Sequence, residues 1–307
     1  MSGATGILQG QVVIVTGAGR GIGRDIALAM AAAGARVVVN DIGAAIDGHG
    51  RDAGPARAVA DEIAAAGGTA MADGGSVADH AACERMVQAA LQAWGRVDAV
   101  VNNAGILRDR LVHKMTHEEW QAVIDVNLTG VFNVSRAAAE VFRRQESGSY
   151  VHLTSTAGLI GNTGQANYGA AKAGVAALSR TLATDLARFN VRSNCIAPFA
   201  FTRMVDSIRT DTPEMAAKVA LARRMESRQV APMAVYLASA LSQGVTGQVF
   251  AVRANELILM GQPRPLRSVH HGEGWTAESI AQIAEPAMRP HFYGLDKSAD
   301  VFNWPPI

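Results

Sequence analysis

The chain begins with a strand, a glycine-rich turn and a helix in direct succession. Val12–Val15 is an apolar run typical of a buried strand, and Ile22, Ile26 and Met30 then recur on one helix face. The turn between them, residues 16–23, contains glycines that permit a sharp bend and a close approach to a pyrophosphate, and the helix N-terminus offers free N–H groups. This unit therefore predicts a dinucleotide site. The cofactor contacts expected in the turn are Gly17, Arg20, Gly21, Ile22 and Gly23.

An acidic residue closes the second predicted strand, Arg36–Asn40. Asp41 lies about 20 residues beyond the glycine turn, where a carboxylate accepts hydrogen bonds from the adenosine ribose hydroxyls and repels a 2′-phosphate. The position predicts NAD rather than NADP, although Arg20 offers a counter-charge to a phosphate. The alternative is that Asp41 only begins the turn of the long glycine-rich loop that follows, residues 43–54.

Apolar runs alternate with helical periodicities along most of the chain. Further strands are expected at 97–102, 149–154, 191–197 and 248–252, and long helices at 126–145 and 168–189. Strands separated by helices require right-handed crossovers and a parallel sheet covered on both faces. We therefore predict an α/β fold, a single doubly wound (Rossmann) domain with a seven-stranded parallel sheet and helices on both faces.

The composition of the sequence changes after Ala254. Six of the ten prolines and two of the four tryptophans fall beyond it, in a stretch that is mostly extended with one possible helix at 276–287. We divide the chain into an NAD-binding catalytic domain, 1–254, and a C-terminal extension, 255–307, that packs on the domain or on a neighbouring subunit. The polar, helix-prone stretch 202–228 is the candidate substrate-covering lid.

Composition excludes several classes of protein. The 28 basic and 27 acidic residues leave a net charge of +1, so the chain lacks the excess positive charge that binds nucleic acid or an anionic membrane. The two cysteines, Cys83 and Cys195, lie in apolar patterns and predict buried thiols. Residues 1–11 lack signal-peptide features, so we expect a cytoplasmic protein. The expected partner is a small-molecule substrate. His270, His271 and Glu273 lack metal-ligand spacing, so no metal site is predicted.

A tyrosine and a lysine stand one helical turn apart in the second long helix. Tyr168 and Lys172, at i and i+4, share a helix face. An ordinary phenol has a pKa near 10, so base catalysis near neutral pH requires a shift of about 3 units, or roughly 4 kcal/mol. A neighbouring ammonium group and an oxidised nicotinamide supply positive charge for that shift. Ser155 follows a predicted strand, at the sheet edge where ligands of open α/β sheets bind.

Together these residues resemble the short-chain dehydrogenase/reductase family. The matching motifs are Thr-Gly-x3-Gly-x-Gly from Thr16, Asn102-Asn103-Ala104-Gly105, Asn127 in Asp-Val-Asn-Leu, Ser155, and Tyr168-x3-Lys172. The resemblance covers residues 8–253. It implies that Tyr168 is the acid/base, that Ser155 holds the substrate oxygen, and that Lys172 lowers the pKa of the tyrosine and binds the nicotinamide ribose. It also implies that Asn127 orders a proton-relaying water.

The resemblance implies further cofactor contacts and an assembly. Asn103, Ala104 and Gly105 are expected beside the adenosine ribose, and Pro198 to Thr202 beside the nicotinamide. The other expected cofactor contacts are Gly75, Ser76, Val77, Tyr168 and Lys172. Gly75 stands before Ser76 and Val77, where the family usually has an acidic residue for the adenine, and we do not assign that role to Asp73. The family also implies a homodimer or homotetramer formed through the long helices.

Some stretches are similar to a particular branch of the family, the (3R)-hydroxyacyl-CoA dehydrogenase (17β-hydroxysteroid dehydrogenase) modules of peroxisomal multifunctional enzymes type 2. They include the segment ending at Gly43 with its long loop, the segment ending at Arg110, and Gly164–Tyr168. This implies an NAD-dependent oxidoreductase acting on a (3R)-hydroxyacyl-CoA or 3-oxoacyl-CoA, including one with a bulky steroid-like acyl group. The alternatives are an NADPH-dependent 3-oxoacyl carrier-protein reductase and a non-catalytic dinucleotide-sensing protein.

Overall fold

A single mixed sheet forms the centre of the computed structural model, which describes residues 6–50, 52–200, 212, 220 and 223–307. Its strands are β1 (Val12–Thr16), β2 (Arg36–Asn40), β3 (Thr69–Asp73), β4 (Ala99–Asn102), β5 (Gly148–Leu153), β6 (Val191–Phe199), β7 (Val249–Arg253) and β8 (Glu256–Leu259). Their order across the sheet is β3-β2-β1-β4-β5-β6-β7-β8. Strands β1 to β7 pair in parallel and β8 is antiparallel to β7.

This sheet confirms the predicted doubly wound α/β fold and adds one strand to it. β8 was not predicted, because its residues lie in the segment assigned to the C-terminal extension. Arg253 pairs with Glu256 across a two-residue turn, so the chain reverses directly after β7 and adds an antiparallel edge. The six strands that were placed from the sequence also leave out β3, which is the seventh parallel strand. It is an edge strand with no fully buried residue, so Thr69–Asp73 lacks the apolar run of the central strands.

Helices cover both faces of the sheet. They are α1 (Gly21–Ala32), α2 (Gly54–Ala65), α3 (His80–Trp94), α4 (His117–Ile124), α5 (Gly130–Gln145), α6 (Thr156–Leu159), α7 (Ala166–Asp185) and α8 (Ala231–Ala238), followed by the short helices α9 (Ala277–Ser279), α10 (Glu285–Met288) and α11 (Ser298–Val301). Val13 and Val15 of β1 pack in a core with α1, α2 and α8. Val12 and Ile14 face the opposite core, with α3 and α5. No helix in the described ranges is long and apolar enough to cross a membrane.

The structure also describes the two cysteines and the helix expected near the C-terminus. Cys83 and Cys195 are free and buried, and burial raises the pKa of the first thiol to about 12 and that of the second to about 11. The helix expected at 276–287 is interrupted by a π-helical turn at Ile280–Ala284 between α9 and α10. The proposed lid, 202–228, falls largely outside the described residues, as does Thr202 itself.

Candidate active site

The glycine turn after β1 is held by the chain that leaves the neighbouring strand β4. The Thr16 hydroxyl accepts hydrogen bonds from the backbone N–H groups of Asn103 (3.1 Å) and Ala104 (3.2 Å). In return, Asn103 Nδ2 donates to the carbonyls of Thr16 (3.0 Å) and Gly17 (2.9 Å). Gly17 has φ +62°, and a Cβ there would lie 2.7 Å from Ala104 Cα. Only glycine fits this approach, which ties the turn to the sheet edge.

The start of α1 has the form of an anion site. The N-cap residue Arg20 makes no side-chain hydrogen bond to the helix, so the first-turn N–H groups are not capped by it. A Cβ at Gly21, where φ is +53°, would meet nothing within 4 Å, whereas at Gly23 it would lie 2.1 Å from Gly17 O. Gly23 therefore closes the turn and Gly21 leaves space beside the helix end. This open cradle and the helix dipole fit the pyrophosphate of a dinucleotide, with Ile22 in the same turn.

Asp41 lies directly beside the glycine turn. One carboxylate oxygen accepts the N–H of Gly19 at 2.8 Å, and the other accepts the N–H of Gly43 at 2.7 Å. Asp41 thus does begin the loop turn, and it also contacts the glycine turn across the two strands. A carboxylate oxygen has two lone pairs, so each one retains acceptor capacity for a ribose hydroxyl. Arg20, in the same glycine turn, is exposed.

The end of β3 is organised by local hydrogen bonds. Asp73 Oδ1 accepts from Asn40 Nδ2 (2.6 Å) and from the N–H of Gly75 (3.0 Å). Asn40 Nδ2 also donates to the carbonyl of Gly75 at 2.8 Å. This oxygen of Asp73 therefore fixes the turn that leads to Ser76 and to the buried Val77.

Asn127 lies in a π-helical turn, Asp125–Thr129, that joins α4 to α5. Its amide pairs with the backbone of Ile106, accepting the N–H at 2.8 Å and donating to the carbonyl at 3.1 Å. Gly105 is adjacent, because a Cβ there would lie 3.4 Å from Asn127 Nδ2. The sequence predicted a continuous helix from Val126. The extra residue of the π turn was missed, although such turns are frequent at functional sites.

Ser155 caps α6, and two glycines bring this helix against α7. The Ser155 hydroxyl accepts the N–H of Ala157 at 3.1 Å. A Cβ at Gly158 would lie 2.4 Å from the backbone nitrogen of Ala173, and one at Gly169 would lie 3.0 Å from Ala157 O. Glycine at both positions permits backbone contact between α6 and α7. This contact brings Ser155 near Tyr168, close enough for its hydroxyl to lower the pKa of the phenol.

Tyr168 and Lys172 line the same site from α7. Burial raises the pKa of the Tyr168 phenol, and the hydrogen bond to Ser155 opposes that rise. Lys172 is 3% exposed, its Nζ donates to Leu153 O at 2.7 Å, and it lies 5.7 Å from the Tyr168 ring centroid. Burial lowers the pKa of Lys172 to about 8. In the protein alone, therefore, burial outweighs the neighbouring groups and keeps the phenol protonated.

A network of buried polar side chains near Lys172 was not predicted from the sequence. The two ring nitrogens of His152 contact Asn102 Nδ2 and Ser193 Oγ, each at 3.1 Å, and Ser193 Oγ lies 2.9 Å from Ser179 Oγ. Burial, and then the charge of Lys172, lowers the pKa of His152 to about 3, so the ring is neutral. A histidine inside an apolar strand gives no periodic signal, because its partners come from other strands and from α7.

Asn167 is a second residue that sequence reasoning left unassigned. It is completely buried, and its Nδ2 donates to the carbonyls of Arg108 (3.0 Å) and Glu119 (3.1 Å). Its Oδ1 accepts the N–H of Tyr168 at 2.7 Å. The side chain therefore fixes the first turn of α7, on which Tyr168 lies, to the loop after β4 and to α4. Its position directly before the tyrosine was the available signal.

The carboxyl edge of the sheet collects the remaining candidates. Leu153 pairs with Ile196, so Ser155 and Pro198 each lie two residues beyond the same rung of the sheet. Asn103 and the glycine turn lie at the same edge, at the ends of β4 and β1. The structure thus brings Gly17, Asp41, Asn127, Ser155, Tyr168, Lys172 and Pro198 to one side of the molecule, where open α/β sheets bind ligands.

Comparison with known proteins identifies the family. A family model described as enoyl-(acyl carrier protein) reductase matches residues 17–254. A short-chain type dehydrogenase/reductase of Mycobacterium tuberculosis is 46% identical over 230 residues, which cover 75% of this chain and 78% of the relative. The chain belongs to the short-chain dehydrogenase/reductase family. This dehydrogenase/reductase is therefore an oxidoreductase of a family that uses a nicotinamide dinucleotide, as its motifs predicted.

Other relatives of this dehydrogenase/reductase have more specific names. A peroxisomal multifunctional enzyme type 2 of Drosophila melanogaster is 43% identical over 77% of this chain, and the match spans only 38% of the fly enzyme. A 3-oxoacyl-[acyl-carrier-protein] reductase of Synechocystis is 42% identical over 80% of this chain and 96% of its own length. The crystal structure of a short chain dehydrogenase from Mycobacterium avium superposes with a TM-score of 0.80 at 40% identity, covering 92% of this chain and 96% of that chain. The resemblance to multifunctional enzyme modules is confirmed.

Proposed function

We propose that this protein is an NAD-dependent oxidoreductase that interconverts a (3R)-hydroxyacyl-CoA and a 3-oxoacyl-CoA. The observation that carries the proposal is the convergence of Ser155, Tyr168 and Lys172 at the sheet edge where Asp41 and the glycine turn lie. An acid/base, an oxygen-binding hydroxyl and a buried cation beside a dinucleotide cradle are the groups that alcohol–ketone interconversion requires.

Each side chain has a separate role in this reaction. A bound NAD would supply the acceptor for the hydride that leaves the substrate carbinol carbon. Tyr168 takes the hydroxyl proton during oxidation and returns it during reduction, while Ser155 holds the same substrate oxygen. Because burial raises the pKa of Tyr168 in the protein alone, formation of the phenolate would need added positive charge, which an oxidised nicotinamide would supply. Lys172 would hold the nicotinamide ribose, and Asn127 would order the water that relays the proton outward.

The preference for NAD rests on Asp41. Its carboxylate is held by Gly19 and Gly43, so it cannot swing away from the ribose position without breaking two hydrogen bonds. A fixed carboxylate accepts hydrogen bonds from the ribose hydroxyls and repels a 2′-phosphate. Affinity for NADH and for NADPH, measured by fluorescence titration of the purified protein, tests this. Equal or tighter binding of NADPH would remove the basis for the NAD assignment.

The thioester substrate is supported by the relatives and by the pocket edge. The fly multifunctional enzyme and the Synechocystis reductase both match through this domain. Phe199, next to Pro198, provides apolar surface at the end of β6. A spectrophotometric screen of NADH oxidation with 3-oxoacyl-CoA thioesters, steroids and simple ketones tests the assignment. Turnover of simple ketones with none of the thioesters would contradict it.

A second candidate is an NADPH-dependent 3-oxoacyl-[acyl-carrier-protein] reductase. It is favoured by one observation, the match to 96% of the length of the Synechocystis reductase, which includes no further domain. The two candidates differ in both carrier and cofactor. Faster reduction of the carrier-protein thioester with NADPH than of the CoA thioester with NADH would select this alternative.

We also propose that the enzyme works as a homodimer or homotetramer formed through α5 and α7. Phe132 on α5 is 49% exposed, although α5 otherwise buries its apolar side chains against the sheet. The family resemblance implies subunit contacts through the long helices, and this exposed ring lies on one of them. Light scattering of wild type and of Phe132→Glu measures the assembly directly, and a monomeric wild type would contradict it.

A further inference from the structure

The last ten residues return to the carboxyl edge of the sheet. Asn255, directly after β7, donates its N–H to the carbonyl of Ile307 at 2.8 Å. Trp304 Nε1 donates to Glu256 Oε1 at 2.7 Å. The segment 298–307, which we call the C-terminal segment, therefore lies against the turn between β7 and β8 of its own chain.

Arg253, the last residue of β7, fixes this segment. It is 6% exposed, and its guanidinium pairs with Glu256 at 3.1 Å. It also donates to the carbonyls of Phe302 and Trp304, which belong to the C-terminal segment. A buried guanidinium without such partners is strongly destabilising, so the arginine favours the docked segment. Glu256 neutralises the cation, and the two carbonyls accept its remaining N–H groups.

The C-terminal segment packs against the side chain of Phe199. The rings of Phe199 and Phe302 pack edge to face with centroids 4.8 Å apart, and Trp304 lies 5.5 Å from Phe302. Phe302 is 7% exposed, whereas Phe199 is only partly buried. Phe302 is therefore the support, and Phe199 is the ring that keeps accessible surface. Phe199 lies one residue beyond Pro198, which is level with Ser155 across the sheet.

A second contact reaches the loop between Ser155 and Tyr168. The N–H of Ser298 donates to the carbonyl of Gly161 at 3.1 Å, and to Asn162 Oδ1 at 3.3 Å. The C-terminal segment thus joins the loop that follows Ser155 to the end of β6. These two elements border the space next to Ser155, where the substrate oxygen is expected.

From this arrangement we infer that Phe199 is the apolar surface against which the acyl chain of the substrate lies, and that Phe302 of the same chain is the residue that positions it. The inference rests on the proposed function, because it takes the substrate oxygen to bind at Ser155. Among the described residues, the charge beside this ring is that of Arg253, 5.9 Å from the ring centroid, and Glu256 pairs with it, so the ring surface suits an uncharged hydrocarbon chain. The Phe199 surface would therefore favour substrates whose acyl chain is long enough to reach it.

The test compares Phe302→Ala with wild type on short-chain and long-chain 3-oxoacyl-CoA. The KM for the long chain should rise about tenfold, as expected for the loss of an apolar contact, while kcat and the KM for the short chain stay within about twofold. Phe302→Leu should restore most of the affinity, because it keeps apolar support. Tyr293→Ala, at a side chain that is 86% exposed, is the matched control and should match wild type.

Two results would overturn the inference. One is an unchanged chain-length profile in folded Phe302→Ala, and the other is an equal loss on short and long chains, which indicates a merely structural role. Affinity for NADH should be the same in both proteins.

A measurement without substrate separates this inference from the proposed function. Hydrogen exchange of the Ser298 amide should be slow in wild type and faster in Phe302→Ala, because the segment is released. Fast exchange in wild type would show that the segment is not docked. If wild type reduces no thioester, the proposed substrate is wrong, and the same chain-length comparison is made with simple ketones of graded length.

Discussion

The contact between α6 and α7 yields the most specific prediction. Alanine at Gly158 would place its Cβ 2.4 Å from Ala173 N, 2.7 Å from the Lys172 carbonyl carbon and 2.9 Å from Gly169 O. All three atoms are backbone, and the closest distance is about 1 Å short of ordinary van der Waals contact. The two helices must therefore separate by about that amount, and Ser155 on one must move away from Tyr168 on the other.

The expected cost has two parts. Overpacking of this kind reduces the free energy of unfolding by about 1–3 kcal/mol, which chemical denaturation of Gly158→Ala measures. A displacement of about 1 Å between reacting groups lowers kcat by about 100-fold, measured from NADH oxidation at saturating substrate.

Two glycine variants complete a graded series. Gly169→Ala should be milder, since its Cβ would lie 3.0 Å from Ala157 O, and Gly244→Ala should be neutral, since its Cβ would meet nothing within 4 Å. Full kcat in Gly158→Ala would refute the argument that this contact places Ser155 beside Tyr168.

Three further predictions concern the cofactor site and the buried groups. Asp41→Ala should weaken NADH binding and reduce the discrimination against NADPH, measured by titration, and an unchanged ratio of the two affinities would contradict the role of the carboxylate. Lys172 has a pKa of about 8 in the folded protein, against 10.5 for an ordinary lysine, so the unfolded chain binds more protons between these pH values. Stability of the free protein should therefore rise by up to about 3 kcal/mol from pH 8 to 10.5, and Lys172→Met should lack this rise in denaturation experiments. Asn127→Ala leaves the N–H and the carbonyl of Ile106 unpaired, which should cost about 1–3 kcal/mol for each buried group; an unchanged denaturation midpoint would refute this.

The sequence predicted the elements whose signals are local. The first strand, the glycine turn and Asp41 lie close together in the chain, and buried parallel strands appear as continuous apolar runs. Tyr168 and Lys172 share a helix face by their spacing alone. These signals were sufficient to predict the doubly wound fold and to bring the candidate residues to one sheet edge.

The features that were missed depend on contacts between distant segments. The polar chain through His152 joins three strands and α7, and the support of Phe199 by Phe302 joins β6 to the last residues of the chain. The π turn at Asn127 shifts the helix by one residue without a change in apolar spacing. Gly158 has no positive φ, so its importance comes only from the helix that packs against it.

The central claim is that Tyr168 exchanges a proton with the substrate of an NAD-dependent reaction. The direct measurement is the rate of NADH oxidation with a 3-oxoacyl-CoA for wild type, Tyr168→Phe and the control Tyr236→Phe, whose ring lies on α8 in a different part of the fold. Loss of acid/base catalysis should lower kcat by about 10²–10⁴-fold in Tyr168→Phe, with NADH affinity and the Tyr236→Phe rate close to wild type. Full turnover by Tyr168→Phe would contradict the account.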